Sequence, residues 1–205
     1  MISFVYFDVG GVVIKDFSDT DKYETMMHTM GLDAFDSAAV DQITNAHDDA
    51  ICRGTFETDD LIPLYEQEFG ITIPSEFSML QYFVDHFEAN PSIFPIISKI
   101  KQTTRVGLLT DMYPRMFTKI SERHLFPPVY WDTIIDSTEV GLRKPMPEIY
   151  ELAEKRAGVP AEQILFIDNR EKNLVPARHR GWQTFLYDSK NYETASRDLS
   201  KFLSL

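Results

Sequence analysis

Four short segments of the chain end in residues that could act together: Asp8, Thr110-Asp111, Lys144 and Asp168-Asn169. Carboxylates converging on one point repel each other unless a cation sits between them. Hard cations such as Mg²⁺ take oxygen ligands and bind through one or two carboxylates plus a substrate phosphate. Asp8, held in place, could attack an electrophilic phosphorus. Thr110 could donate a hydrogen bond to a phosphoryl oxygen, and Lys144 could offset its charge. These residue types suit phosphoryl transfer.

The elements that must position them are short apolar strands. Ile2 to Phe7 is rich in β-branched and aromatic residues and predicts a buried strand ending at Asp8, with Gly10-Gly11 as a turn. Val12-Val13-Ile14 either resumes that strand or turns back. From about Asp16 to Asn90 apolar residues recur at helical spacing (Tyr23, Met26, Met27, Met30; Leu61, Leu64, Tyr65; Leu80, Phe83, Val84, Phe87), predicting a block of about four helices. Asp59 and Ser75 are candidate N-caps within it.

After Asn90-Pro91 helix and strand alternate. Helices are expected over Ile93–Ile100, Pro114–His124, Pro147–Ala157, Leu174–Arg180 and Tyr192–Leu203. Strands are expected over Val106–Leu109, Trp131–Ile135, Ile164–Ile167 and Thr184–Tyr187, with the loop Gly141–Pro145 after the second of these. Apolar strands between amphipathic helices predict an α/β fold, a Rossmann-like parallel sheet with helices on both faces, and an all-helical insertion after the first strand. In such sheets ligands bind outside the carboxyl ends of the strands.

The 205 residues allow one domain with an inserted subdomain. The net charge of −12 argues against nucleic acid or an anionic membrane as partner. No apolar run approaches the ~20 residues of a membrane span. The N-terminus lacks the basic and long apolar regions of a secretory signal, so the cytoplasm is the default location. The single Cys52 excludes an internal disulfide. The five histidines have no ligand spacing, so zinc is not expected.

Phe7-Asp8-Val9-Gly10-Gly11-Val12-Val13, Leu108-Leu109-Thr110-Asp111, Gly141-Leu142-Arg143-Lys144-Pro145 and Phe166-Ile167-Asp168-Asn169 resemble, in order and spacing, the four motifs of the haloacid dehalogenase-like superfamily. The segment Asn173 to Arg178, then Gly181, is similar to its soluble-epoxide-hydrolase phosphatase-domain and sugar-1-phosphatase branches. The resemblance implies a core of residues 1–15 and 91–205 and a C1-type helical cap of residues 16–90. It implies Asp8 as a nucleophile forming an aspartyl-phosphate, with Thr110 and Lys144 holding the phosphoryl group. It implies Mg²⁺ held by Asp8, the carbonyl of Gly10, Asp168 and Asn169. Arg53-Gly54-Thr55-Phe56 resembles a short cap element, which makes Arg53 a candidate substrate contact; Asp111 either lines the site or caps the next helix.

Three positions depart from the family pattern. Gly10 stands where these phosphatases usually carry a second Asp as general acid and base, so Gly10→Asp is expected to restore a proton donor. Asp111 replaces a usual Asn, and Asn169 replaces a usual acid, which weakens the expected Mg²⁺ binding. The leading expectation is a Mg²⁺-dependent phosphatase on a small phosphorylated metabolite. The alternatives are a non-catalytic relative binding a phosphorylated ligand or partner, and a metal-independent 2-haloacid dehalogenase.

Overall fold

In the computed structural model, which describes residues 1–205, the first apolar run forms β1 (Phe4–Phe7) and the chain then turns into a two-residue strand, β2 (Ile14–Lys15). Helices α1 (Lys22–Thr29), α2 (Ser37–Cys52), α3 (Leu61–Phe69) and α4 (Met79–Asp85) follow. Strand β3 (Glu88–Ala89) pairs antiparallel with β2, Ile14 opposite Ala89. The chain therefore leaves for the helical block and returns from it through adjacent strands. Beyond lie α5 (Phe94–Lys101), β4 (Arg105–Thr110), α6 (Met116–Glu122), β5 (Thr133–Asp136), the single turn α7 (Ser137–Val140), α8 (Pro147–Ala157), β6 (Ile164–Asp168), α9 (Glu171–His179), β7 (Gln183–Leu186) and α10 (Tyr192–Phe202).

The five longer strands form one parallel sheet in the order β5-β4-β1-β6-β7. Side chains alternate across it because strand periodicity is two. Val5 and Phe7 face α5, α6 and α10 in a core shared with Met26, Leu61, Tyr65 and Phe83 of the helical block. Phe4 and Tyr6 face α8 and α9 in a second core with Tyr150, Leu174 and Trp182. The Tyr6 hydroxyl donates to the Ala153 carbonyl at 2.9 Å, so its one polar atom is satisfied in that core. In register, Phe7 lies beside Leu108 and Ile167, which brings Asp8 level with the ends of β4 and β6.

The structure corrects several local readings. The strand expected from Trp131 begins at Thr133; Trp131 lies outside it and packs edge-on against Phe7, ring centres 6.2 Å apart. Helix α6 begins at Met116 and not Pro114, because Arg115 takes a left-handed φ of 65°. Helix α9 begins at Glu171, a turn earlier than expected, and continues through Pro176. Neither expected cap operates. Ser78 caps α4 by accepting from the Gln81 N–H, and Asp59 accepts from the Leu80 N–H and the Ser78 hydroxyl, bracing the start of α4 instead of capping α3. Ser75 bonds only Glu76. In the longest helix, α2, only Val40, Ile51 and Cys52 are buried, and Ile43 packs against the same core. No helix is long and apolar enough to cross a membrane.

Candidate active site

Asp8 follows β1 directly, where the chain turns. The Val9 carbonyl accepts from the N–H groups of Val12, Val13 and Ile14, closing a tight loop. Gly11 sits in it at φ 74°, a conformation that favours glycine, and a Cβ there would run into the Asn169 side-chain amide. The loop holds Asp8 with its Oδ1 accepting from the Val9 N–H at 2.8 Å.

Lys144 arrives from the loop after α7 and is almost completely buried. Its Nζ lies 2.9 Å from Asp8 Oδ1 and 2.7 Å from Asp168 Oδ2, and its backbone N–H donates to Asp111 Oδ1 at 2.9 Å. Burial works against the ammonium, but Asp168, Asp8 and Asp111 outweigh it and raise the Lys144 pKa. Burial likewise pushes the Asp8 carboxyl up; Lys144 opposes the rise and Asp168 and Asp111 add to it. Three carboxyl groups thus surround one ammonium.

Asp168, the last residue of β6, is wholly buried, and protein groups occupy both its oxygens. Oδ1 accepts from the Arg170 N–H at 2.7 Å, Oδ2 from Lys144, and the Asn173 amide reaches both at 3.2 and 3.0 Å. The expected metal ligand is thus engaged in fixing Lys144. Asn169 turns toward Gly11, its Nδ2 donating to Ser189 Oγ at 3.3 Å, and its Oδ1 is buried with no hydrogen-bond partner. Thr110 ends β4 fully buried, and Asp111 beside it lines the crevice.

The crevice encloses about 380 Å³. Asp8, Gly10, Asp16, Asp111 and Lys144 line its polar part, and Phe17, Tyr23, Phe83, Phe87, Tyr113 and Met116 line its apolar part. Arg53 is not among the lining residues. Its Nε donates to the Gly141 carbonyl at 3.0 Å and its Nη1 faces Asp49, so it fastens the end of α2 to the loop that carries Lys144. Arg143 lines the crevice in its place, paired with Asp48 at 2.8 Å. The motif Gly-Leu-Arg-Lys-Pro contains it, but no local pattern favours it over Arg53. Asp16, Arg170 and Asn173 are further lining residues that the sequence reading missed. Burial pushes the Cys52 thiol up to about 12, so it is not a nucleophile here.

An aspartate at position 10, expected to restore a proton donor, would meet the Asp16 side chain. A Cβ placed on Gly10 would run into Asp16 Oδ2 and lie 3.2 Å from its Cγ. Gly10→Asp alone therefore adds a second carboxylate against an existing one. It should lower activity and stability, read as kcat and Tm beside wild type; a faster, equally stable variant would refute this account of position 10.

A family model for haloacid dehalogenase-like hydrolases matches residues 5–181. The chain belongs to that family of hydrolases. It is similar to "Bifunctional epoxide hydrolase 2" of Mus musculus, 24% identical over 172 residues, which cover 74% of this chain and 29% of that protein. The chain thus spans under a third of the length of that relative. Its fold matches the haloacid dehalogenase-like enzyme bt-2542 of Bacteroides thetaiotaomicron with a TM-score of 0.80, 17% identity and 98% of each chain covered. A second structure of that enzyme, in complex with magnesium and inorganic phosphate, matches at a TM-score of 0.72, with 16% identity over 92% of this chain and 96% of that one. L-2-haloacid dehalogenase of Xanthobacter autotrophicus matches at 0.64, with 16% identity over 91% of this chain and 78% of that one.

Proposed function

We propose that this hydrolase is a Mg²⁺-dependent phosphatase of a small phosphorylated metabolite, working through an aspartyl-phosphate on Asp8, with residues 1–15 and 91–205 as core and 16–90 as cap. The observation that carries the reading is the Asp8 carboxylate itself. Lys144 holds one oxygen at 2.9 Å, while the second has no hydrogen-bond partner in the protein. That oxygen is the nucleophile. Asp168 and Asn173 keep Lys144 in place, so its ammonium stays beside the transferring phosphoryl group and offsets the charge that builds there. Arg143 adds a second positive charge at the crevice.

The residues present fit a hard cation. The Asp8 carboxylate, the Gly10 carbonyl and Asn169 Oδ1 all offer oxygen donors, and the last is a buried acceptor that nothing in the protein satisfies. Bound there, Mg²⁺ supplies charge neutralisation and orientation of the phosphate. With one charged and two neutral ligands its affinity is low. Asn169→Asp should tighten it: a carboxylate facing the Ser189 and Asp19 oxygens lowers Tm without metal, and saturating Mg²⁺ raises Tm by more than in wild type. Equal Mg²⁺-induced shifts in the two proteins would remove Asn169 from the metal.

The deciding experiment assays a panel of phosphomonoesters with Mg²⁺ or with chelator, beside 2-chloropropionate. Phosphate release that requires Mg²⁺ supports the proposal. Metal-independent chloride release replaces it with a dehalogenase, and ligand binding without turnover replaces it with a binding protein.

A further inference from the structure

Four carboxylates line the crevice: Asp8, Asp16, Asp48 and Asp111. Three are engaged by cations or backbone of the site. Asp8 pairs with Lys144, Asp48 with Arg143, and Asp111 accepts the Lys144 N–H. Asp16 is anchored differently. Its Oδ1 accepts from the Ser18 N–H at 2.9 Å, a local turn that fixes the side chain, and its Oδ2 has no hydrogen-bond partner. That free oxygen lies where it would collide with the Cβ of a side chain at position 10. The carboxylate of Asp16 therefore fills the volume that an acidic side chain two residues after the nucleophile would occupy. The antiparallel β2–β3 pair makes this possible, because β2 brings the chain back past the Asp8 loop and delivers Asp16 just beyond Lys15.

We propose that Asp16 is the proton-transfer residue of this site, supplying from eight positions downstream of the nucleophile the acid and base that Gly10 lacks. The proposal rests on the phosphatase reading. In the first half-reaction an Asp8 oxygen bonds to phosphorus while the bond from phosphorus to the ester oxygen breaks. The Asp16 carboxylic proton passes to that oxygen, which leaves as a neutral alcohol. In the second half, Asp16, now a carboxylate, takes a proton from the water whose oxygen attacks phosphorus. The bond from phosphorus to Asp8 breaks, its electron pair returns to the Asp8 carboxylate, and Asp16 is again the acid. Glycine at position 10 is then a requirement of space: its φ lies outside the left-handed region, so it is not demanded by the backbone.

The test uses Asp16→Asn, which keeps the acceptor for the Ser18 N–H but has no transferable proton, with folding checked by circular dichroism and Tm. On alkyl phosphates, whose alkoxides are poor leaving groups, kcat should fall by roughly 10²–10⁴. Phosphorylation by p-nitrophenyl phosphate, whose leaving group needs no proton, should fall far less. The aspartyl-phosphate should accumulate and be trapped on Asp8, since its hydrolysis has lost the base. The double variant Gly10→Asp with Asp16→Ala moves the carboxylate to position 10 in the space vacated, and should recover at least about tenfold of the activity that Asp16→Ala loses. A folded Asp16→Asn that slows every leaving group equally, with no trapped phosphoenzyme, overturns the role of Asp16 while leaving the phosphatase intact. A wild-type protein that neither forms a phosphoenzyme nor hydrolyses any phosphomonoester with Mg²⁺ overturns the phosphatase reading, and this inference with it.

Discussion

Asp8→Asn should abolish turnover, by at least about 10⁴-fold, and leave no phosphoenzyme to trap, as expected when the nucleophile of a covalent mechanism is removed. The fold should survive. An amide oxygen can still accept from the Val9 N–H and from Lys144, and Lys144 keeps Asp168 as its ionic partner. Stability should change in an informative direction. Burial raises the Asp8 pKa in the folded protein above its unfolded value. Between those two values the unfolded chain holds fewer protons at this group than the folded one, so without metal the wild type loses stability as pH rises through the interval. The Asn variant has no such loss. Its Tm should match or exceed that of wild type at neutral pH without Mg²⁺, and the difference should shrink below about pH 4, the ordinary range of an aspartate. A variant with residual phosphomonoester turnover above contaminant level would remove Asp8 from the chemistry.

Lys144→Met should cost both activity and stability. The substitution nearly preserves length and apolar volume but leaves Asp8 and Asp168 close together without the ammonium between them. Removing one partner of a buried ionic cluster typically costs about 3–5 kcal/mol, because the remaining charges stay desolvated. For a chain of this size that corresponds to a fall in Tm of roughly 6–20 °C. Loss of the charge facing the transferring phosphoryl group should lower kcat by about 10²–10³. Lys144→Arg should not rescue: the site is nearly sealed around a point charge, and a planar fork of five donors does not fit it. Thermal melts with kinetics on one phosphomonoester check all three statements. A Met variant as stable as wild type would mean that the cluster holds a shared proton and not an ion pair.

The order of elements, the parallel sheet and the residues at the strand ends were legible in the sequence because each rests on a local pattern. A fully apolar run such as Ile164–Ile167 needs cover on both faces, and parallel strands end on one edge of the sheet, so Asp8, Thr110 and Asp168 had to approach each other whatever the details. The four helices of the block were expected, but the bounds of α2 were not legible, since only three of its sixteen residues are buried. Which polar atoms face the crevice was decided only by the tertiary structure, because hydrogen-bond partners distant in sequence set side-chain direction. Arg170 and Asn173 turn Asp168 toward Lys144, Gly141 draws Arg53 away while Asp48 holds Arg143 at the crevice, and Ser189 draws Asn169 toward Gly11. Asp16 is the extreme case. Nothing in its neighbours distinguishes it, and its position against Gly10 follows from the pairing of β2 with β3, strands more than seventy residues apart that no local pattern connects.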